Sequence, residues 1–200
     1  GSWLKKLNVI DINVENDYEN IVNAVKLLEK RPDLEGLVFD YIHFYCNSNI
    51  VKRTRDSYRR EVRLIRNGQG VVSYRDAQGF KTKEGKKLRC TLADATVYHY
   101  GWARVKDVMK RKVQNMGKLY HGKDFSGGDN FDYARIWGVR EFTGSHPKCM
   151  AQWIEENKND IDVLSLKLDF RLTHIRNIIS DLVEDMTGYR IGEYKNYKLL

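Results

Sequence analysis

The chain has 200 residues, of which 42% are apolar and 12% aromatic, enough to bury a core and too many for a disordered protein. Its apolar runs fall far short of the roughly 20 residues that a membrane-spanning helix needs, which predicts a cytoplasmic protein with no transmembrane segment. A formal net charge of +8 indicates an anionic partner such as nucleic acid, a membrane surface or a phosphorylated small molecule.

The first predicted elements are a helix and a strand. Apolar residues recur at helical spacing from Tyr18 to Leu28, Asn16 and Glu19 stand where a reciprocal capping pair would, and Pro32 follows. The next segment, EGLVFDYIHFY, is apolar at both alternating positions, which is typical of a central strand covered on two sides.

Three further strand patterns follow. REVRLIR (60–66) alternates basic and aliphatic residues and predicts a strand with one exposed face. FKTKEGKKLRC (80–90) has a glycine turn between alternating arms and predicts a hairpin, and DATVYHYGW (94–102) predicts another strand. The three cysteines, Cys46, Cys90 and Cys149, are too widely spaced for a disulfide framework or a structural zinc site and are predicted to be buried thiols.

The last part of the chain is predicted to be mostly helical. Spacing indicates an amphipathic helix over 105–120, a loop over 122–133 and a helix over 146–157 with Pro147 in its first turn. The final helix, in the segment 165–187, carries a stripe that includes Leu172 and Ile179 and stops at Gly188. We expect that stripe to pack against the body of the protein or against a second subunit in a homo-oligomer.

Few residues qualify as a functional site. The chain has no compact histidine metal motif, nucleophile elbow or phosphate-binding glycine loop. The polar residues that end apolar strands are therefore the candidates: Asp11, Arg75 with Asp76, and His99. A lone histidine in an apolar strand is also a common hydrogen-bonded core residue, and Asp76 also suits a turn, so both structural alternatives stay open.

Seven segments in order resemble the later portion of bacterial and viral family 2 glycosyltransferases, and together they cover nearly the whole chain. They are GSW…L…DINVENDYENI, EGLVFDYIHFY, YRREVRLIRN, SYRDAQGF, VYHYGWAR, GSHPKCMAQWI and TGYRIGEYKNYKLL. The resemblance implies an α/β fold, the C-terminal portion of the Rossmann-like A-type glycosyltransferase fold, with a mixed sheet flanked by helices. Residues 1–145 would be a partial domain without the N-terminal nucleotide-binding half, and 146–200 a helical extension packed on it.

The resemblance also implies a reaction, in which a sugar passes from a nucleotide-sugar donor to a glycan or other acceptor with inversion and with Mg²⁺ or Mn²⁺. Asp11 and His99 would hold the metal, because carboxylate and imidazole are suitable ligands. Asp76 would be the general base. Arg75, Arg104 and Trp102 would contact the phosphate and substrate.

One departure from the family pattern favours an alternative. Ile10 stands where the relatives have the first acid of an acidic run, so one carboxylate of two remains, at Asp11. The alternative is a noncatalytic binding or assembly module derived from the same fold, and the isolated chain is expected to lack transferase activity. Nucleic-acid binding, suggested by RDSYRREVRLIR, has no recognised fold signature behind it, and no nucleic-acid partner is expected.

Overall fold

The computed structural model describes residues 11–13, 15–74, 79–122, 129–193 and 195–200, with the backbone alone for 11–13 and 74. Ile10, Arg75 and Asp76 lie outside the described residues, so the expectations placed on them stay predictions. The described helices are α1 (Tyr18–Lys30), α2 (Lys106–His121), α3 (Ala151–Glu156) and α4 (Thr173–Thr187). The described strands are β1 (Asp11–Asn13), β2 (Gly36–Tyr45), β3 (Asn47–Lys52), β4 (Arg60–Ile65), β5 (Val71–Tyr74), β6 (Gly79–Thr82), β7 (Leu88–Trp102), β8 (Val139–Glu141) and β9 (Tyr197–Leu199).

A long parallel pair, β2 and β7, forms the centre of the main sheet. Antiparallel β1 and parallel β9 pair with opposite ends of β7. Antiparallel β3 and β4 do the same for β2, and β8 pairs with β3. Within the described residues these seven strands make a mixed sheet flanked by helices, which confirms the predicted α/β class at that level.

The central strands are apolar on both sides because each face of the sheet is covered. On one face α1 packs its Ala24 and Leu28 against a cluster that includes Phe39 and Val97. On the opposite face, residues around α3 pack against Phe44, Tyr98 and Tyr100, together with Met150 and Trp153. The prediction of a two-sided central strand is therefore confirmed for β2.

The first helix is confirmed, but its predicted cap is wrong. A short 3-10 turn over Glu15–Asp17 precedes α1, so Asp17 rather than Asn16 holds the N-cap position. The carboxylate of Asp17 accepts a hydrogen bond from the backbone N–H of Thr96 at 2.7 Å, which joins the start of the helix to β7. Tertiary bonding to the sheet has replaced the local capping pair.

The predicted hairpin over 80–90 is only partly correct. The chain does turn there, with the N–H of Thr82 bonded to the carbonyl of Lys86 at 3.1 Å. Beyond that turn the arms separate: β6 pairs with β5, whereas Leu88 begins the fifteen-residue strand β7. Leu88 and Cys90 are fully buried, and apolar burial against β2 outweighs the local turn signal.

The later helices follow the predicted order with shifted starts. The helix over 105–120 is confirmed as α2, while Pro147 precedes a 3-10 turn (Lys148–Met150) that leads into the short α3. Gly188 ends α4 in the left-handed region, at φ 70°, as expected of a C-terminal stop. The predicted extension 146–200 also contributes the strand β9 to the sheet. No helix in the described part of the chain is both long and apolar enough to span a membrane.

The expectation that the apolar stripe of α4 packs inside this chain is wrong. Leu172 is 81% exposed and Ile179 52% exposed, while the buried residues of α4 are Asn177, Ser180 and Glu184. The helix thus turns its polar face inward. Periodicity identified the helix but not the direction in which its apolar side points.

The cysteines differ among themselves. Cys46 and Cys90 are buried, as predicted, but Cys149 is exposed, so that part of the prediction is wrong. Burial raises the pKa of the Cys46 thiol to about 11 and that of Cys90 to about 12. Cys46 lies directly after β2, and Cys90 lies near the start of β7, at the opposite end of the central strand pair.

Candidate site at the carboxyl ends of the central strands

The strand register aligns four polar residues in one row across the sheet. Asp11 of β1 is the partner of His99 in β7, and His99 is the partner of His43 in β2. His43 in turn is the partner of Lys52 in β3. The row crosses the carboxyl ends of the parallel pair, which is where ligands gather in open α/β sheets.

The two described histidines of this row are in ring contact. The imidazoles of His43 and His99 have centroids 5.3 Å apart, and the rings of Tyr41 and Tyr58 surround His43. Nε2 of His43 lies 2.7 Å from the carbonyl oxygen of Tyr58. A carbonyl only accepts, so Nε2 carries the hydrogen and donates it, which fixes the orientation of the ring.

The strand alternation around His99 is as predicted. Tyr98 and Tyr100 lie on the opposite face, where Tyr100 is fully buried and stacks on Phe44 with centroids 4.3 Å apart. The hydroxyl of Tyr100 also bonds to Nδ1 of His146 at 2.8 Å. Burial on that face anchors the strand and leaves His99 on the face of the polar row.

Gly101 lets two nitrogen-bearing side chains come close to the end of β7. A Cβ placed on Gly101 would lie 2.6 Å from Nε2 of His99 and 3.3 Å from Nζ of Lys112. The ammonium of Lys112 donates to the carbonyl oxygen of Gly101 at 2.7 Å and lies over the ring of Trp102. A larger residue at this position would displace the histidine, so the glycine is required by space.

The site is basic, and its lysines are easier to deprotonate than usual. Burial, with a smaller contribution from the nearby charge of Arg104, lowers the pKa of Lys112 to about 8. Burial also lowers the pKa of Lys52, although the carboxylate of Asp56 opposes that effect. An anionic ligand beside either ammonium would favour the charged form and raise these pKa values again.

Trp102 and Arg104 both lie near the carboxyl end of β7, but their surroundings differ. Trp102 is 37% exposed at the last position of the strand. The guanidinium of Arg104 lies 5.7 Å from the ring centre of Trp153, which belongs to the cluster on the α3 face. The expected roles of Trp102 and Arg104 in binding phosphate and substrate stay predictions.

Asp11 and His99, the expected metal ligands, would make only part of a coordination shell for Mg²⁺ or Mn²⁺. Within the residues that the structure describes, no three His, Cys, Asp or Glu side chains form a group that could hold a metal ion. The carboxylate of Asp11 falls outside that statement, since only its backbone is described. A carboxylate and an imidazole suit Mn²⁺ or Mg²⁺ poorly as a complete set but fit as two ligands among several, with substrate oxygens supplying others.

Sequence reasoning missed three members of the site: His43, Lys52 and Lys112. His43 stands in an apolar strand just as His99 does, and the parallel pairing of β2 with β7 would have placed the two histidines side by side. Lys112 is one of many lysines on an amphipathic helix, and its proximity to Gly101 depends on how α2 returns over the sheet. No local pattern marks that return.

Comparison with known proteins returns no relative. No protein-family model matches the chain, and neither a curated protein nor a solved structure matches it significantly.

Proposed function

We propose that the chain is the acceptor-side, C-terminal portion of a family 2 glycosyltransferase with an A-type fold, which takes part in moving a sugar from a nucleotide-sugar donor to an acceptor hydroxyl. The observation that carries the proposal is the register that pairs Asp11 with His99. These two residues are 88 positions apart in the sequence, and they meet at the carboxyl ends of the parallel pair, as the motif resemblance requires.

The residues around that pairing favour a diphosphate as the ligand. Asp11 and His99 would hold a divalent cation, which when bound offsets negative charge on the diphosphate leaving group. Lys112 supplies an ammonium beside His99, and Lys52 supplies another at the far end of the row. Burial disfavours the charged form of both lysines, and a bound anion would favour it again.

The transfer needs one more group, which we assign to Asp76 by resemblance. The acceptor oxygen attacks the anomeric carbon from the side opposite the diphosphate. The bond from that carbon to the diphosphate oxygen breaks, and its electron pair stays with the phosphate. The acceptor proton passes to the carboxylate of Asp76, while Arg75 and Arg104 neutralise phosphate charge and Trp102 contacts the substrate.

The proposal is tested by calorimetric titration of the chain with uridine or guanosine diphosphate, with and without Mn²⁺. We expect binding that depends on the metal and is weakened at least about tenfold by His99→Ala, because an imidazole ligand is lost. His121→Ala is the matched control, since His121 lies exposed in the last turn of α2. Binding that ignores Mn²⁺, or equal losses in both variants, would contradict the proposal.

A noncatalytic assembly module is the second candidate, and the exposed apolar stripe of α4 favours it. Such a module needs a contact surface but no diphosphate site. The same titration separates the two candidates. A pure assembly module would not bind either nucleotide in the presence of Mn²⁺, and His99→Ala would not change its titration.

A further inference from the structure

The outward face of α4 carries a row of exposed apolar side chains that its own fold does not use. Five side chains at intervals of three and four residues point away from the body of the protein. They are Leu172 (81% exposed) at the N-cap and, within α4, Ile175 (44%), Ile179 (52%), Leu182 (58%) and Met186 (85%). This spacing is that of the contact positions in a pair of helices packed side by side. Contiguous apolar patches of a few hundred Å² commonly mark interaction sites.

The inward face of α4 is fixed, so the helix cannot rotate to bury the stripe. Nδ2 of Asn177 donates to Asp56 at 2.7 Å, and the hydroxyl of Ser180 donates to the carbonyl of Ile191 at 3.2 Å. Glu184 is buried and accepts hydrogen bonds from Arg190, Arg59 and Arg53. Turning the helix would break all of these contacts and leave a carboxylate buried without its partners.

The charges along α4 indicate what covers the stripe. The first turn carries His174 and Arg176, and Arg171 lies just before the helix; the last turn carries Asp185 on its exposed side, while Glu184 is turned inward. This order is unfavourable for an isolated helix, whose N-terminus attracts negative charge and whose C-terminus attracts positive charge. A second α4 running in the opposite direction would place its exposed Asp185 beside the basic end of the first. A parallel neighbour would instead bring like charges together.

We infer that two copies of this chain pair through α4 in an antiparallel, twofold-symmetric contact centred on Ile179. Ile179 is the middle member of the stripe, seven residues from Leu172 and seven from Met186. A twofold axis at this residue packs Leu172 of each copy against Met186 of the other. It also brings Asp185 of one copy close to Arg171 of the other, which occurs twice in the pair.

The chemistry of both residues suits this contact. Arg171 already donates to Asp169 at 2.6 Å, and a guanidinium with five donors can hold a second carboxylate at the same time. Asp185 is exposed, and its neighbour Met186 belongs to the stripe. A single helix pair buries less than a standard protein interface, so we expect a reversible dimer with a dissociation constant in the micromolar range.

A lipid surface is the competing occupant, and the charges disfavour it. Helices that lie on membranes usually carry lysine and arginine along the whole polar side. Here the C-terminal half carries the exposed Asp185 beside the stripe, which anionic lipids would repel.

Sedimentation velocity of the full chain over a micromolar concentration series tests the inference. We expect concentration-dependent dimerisation that Ile179→Asp weakens at least about tenfold, because it places two carboxylates on the twofold axis. Met186→Glu is a second variant at a more exposed position. Leu119→Asp is the matched control, since Leu119 is 77% exposed on α2. Both stripe variants should keep the melting temperature of the monomer.

A charge exchange tests the antiparallel direction. R171E and D185R should each weaken the dimer several-fold, and the double variant R171E/D185R should restore it, because the two ion pairs form again with their signs reversed. Four results would overturn the inference: a wild-type chain that stays monomeric over the whole series, a dimer that survives Ile179→Asp and Met186→Glu, a double variant that does not recover, or binding to vesicles of anionic lipid in place of self-association.

Discussion

Polar side chains are placed in opposite ways in two regions of the protein, the carboxyl ends of β2 and β7 and the helix α4. At the strand ends, apolar packing holds the backbone, and the polar row that includes His43 and His99 lies on a partly open face. In α4, hydrogen-bonded charges hold the element to the body, and the apolar side chains lie outside. One region is attached through buried apolar side chains and presents polar groups, while the other is attached through polar groups and presents apolar side chains.

This difference predicts which substitutions each region tolerates. Apolar packing is non-directional, so it tolerates changes that conserve volume. A buried ion network is directional, and it fails when one member is removed because the remaining charge loses its compensation. We therefore expect α4 to respond to single polar substitutions and to pH, and the strand ends to respond to changes in space.

The largest expected effect comes from Arg190→Met. Arg190 is 2% exposed, donates twice to Glu184 and also bonds to the carbonyls of Thr54 and Ser57. Removing it should lower the free energy of unfolding by about 3 kcal/mol, because Glu184 stays buried with fewer partners. Chemical denaturation followed by circular dichroism measures this loss.

The control for that variant is Arg31→Met. Arg31 forms a similarly short ion pair with Asp33, but both side chains are exposed to solvent, so its removal should leave stability almost unchanged. Equal effects of the two substitutions would show that burial does not distinguish the α4 network from a surface pair.

The next effect concerns space at the strand ends. Gly101→Ala puts a methyl group 2.6 Å from Nε2 of His99, and the histidine is the part that can move. We expect metal-dependent diphosphate binding to weaken about tenfold while the melting temperature changes little, since a displaced ligand costs affinity rather than fold. Unchanged binding would show that His99 does not contribute to the diphosphate site. Unfolding of the variant would show that Gly101 has a structural role only.

A pH dependence should follow from the α4 network. Burial alone would raise the pKa of Glu184, but hydrogen bonds and charges from Arg190, Arg53 and Arg59 outweigh it and hold that pKa below its usual value. A lowered folded pKa means that the stabilisation is complete above the unfolded value of about 4.3 and is lost as pH falls through the folded value. Melting temperatures measured through this acidic range should fall less steeply for Glu184→Gln than for the parent chain.

A smaller effect is expected from the titration of Lys112. Its ammonium has a pKa of about 8, so the residue should change charge in mildly alkaline solution while exposed lysines stay protonated. Nuclear magnetic resonance of the ¹³C-methylated chain should show a resonance with this midpoint that is distinct from the α-amino signal and absent from Lys112→Arg. Addition of inorganic diphosphate should move the midpoint upward, and a midpoint near the ordinary lysine value would contradict the burial of this group.

The smallest effect is expected on the exposed stripe. Leu172→Ala should change the free energy of unfolding by no more than about 0.5 kcal/mol in dilute solution, because Leu172 is 81% exposed. Leu37→Ala is the matched substitution in the sheet and should cost about 3 kcal/mol, since Leu37 is fully buried. A large loss at Leu172 would mean that the stripe is covered within the same chain.

The sequence predicts the elements better than their partners. Runs such as EGLVFDYIHFY mark strands because both faces need apolar residues, and the alternation around His99 also fixes the face on which each ring lies. The hairpin over 80–90 fails because Leu88 and Cys90 gain more from burial against β2 than from local pairing. Pairing between distant segments depends on energies that no local window contains.

The orientation of α4 could not be predicted for a related reason. Its periodicity shows one apolar and one polar side, and burial of the apolar side is the usual outcome. The inward position of Glu184 requires Arg190, Arg59 and Arg53 to meet it. Arg53 and Arg59 both come from the loop between β3 and β4, more than a hundred residues earlier. In the site, likewise, Asp11 and His99 were identified singly, but Lys112 becomes visible only once α2 folds back over Gly101.

The rates at which the three free thiols are alkylated report on the transient opening of the sheet. Cys149 is exposed and should react with an alkylating reagent at once, whereas Cys46 and Cys90 are buried thiols with raised pKa values and should react only during transient opening. Cys90 lies near the start of β7, and Cys46 lies just beyond the end of β2. Their separate labelling rates therefore report which end of the central strand pair opens first. Slower modification of Cys46 when diphosphate and Mn²⁺ are added would locate ligand protection at the carboxyl ends of the strands, with Cys90 as the internal reference.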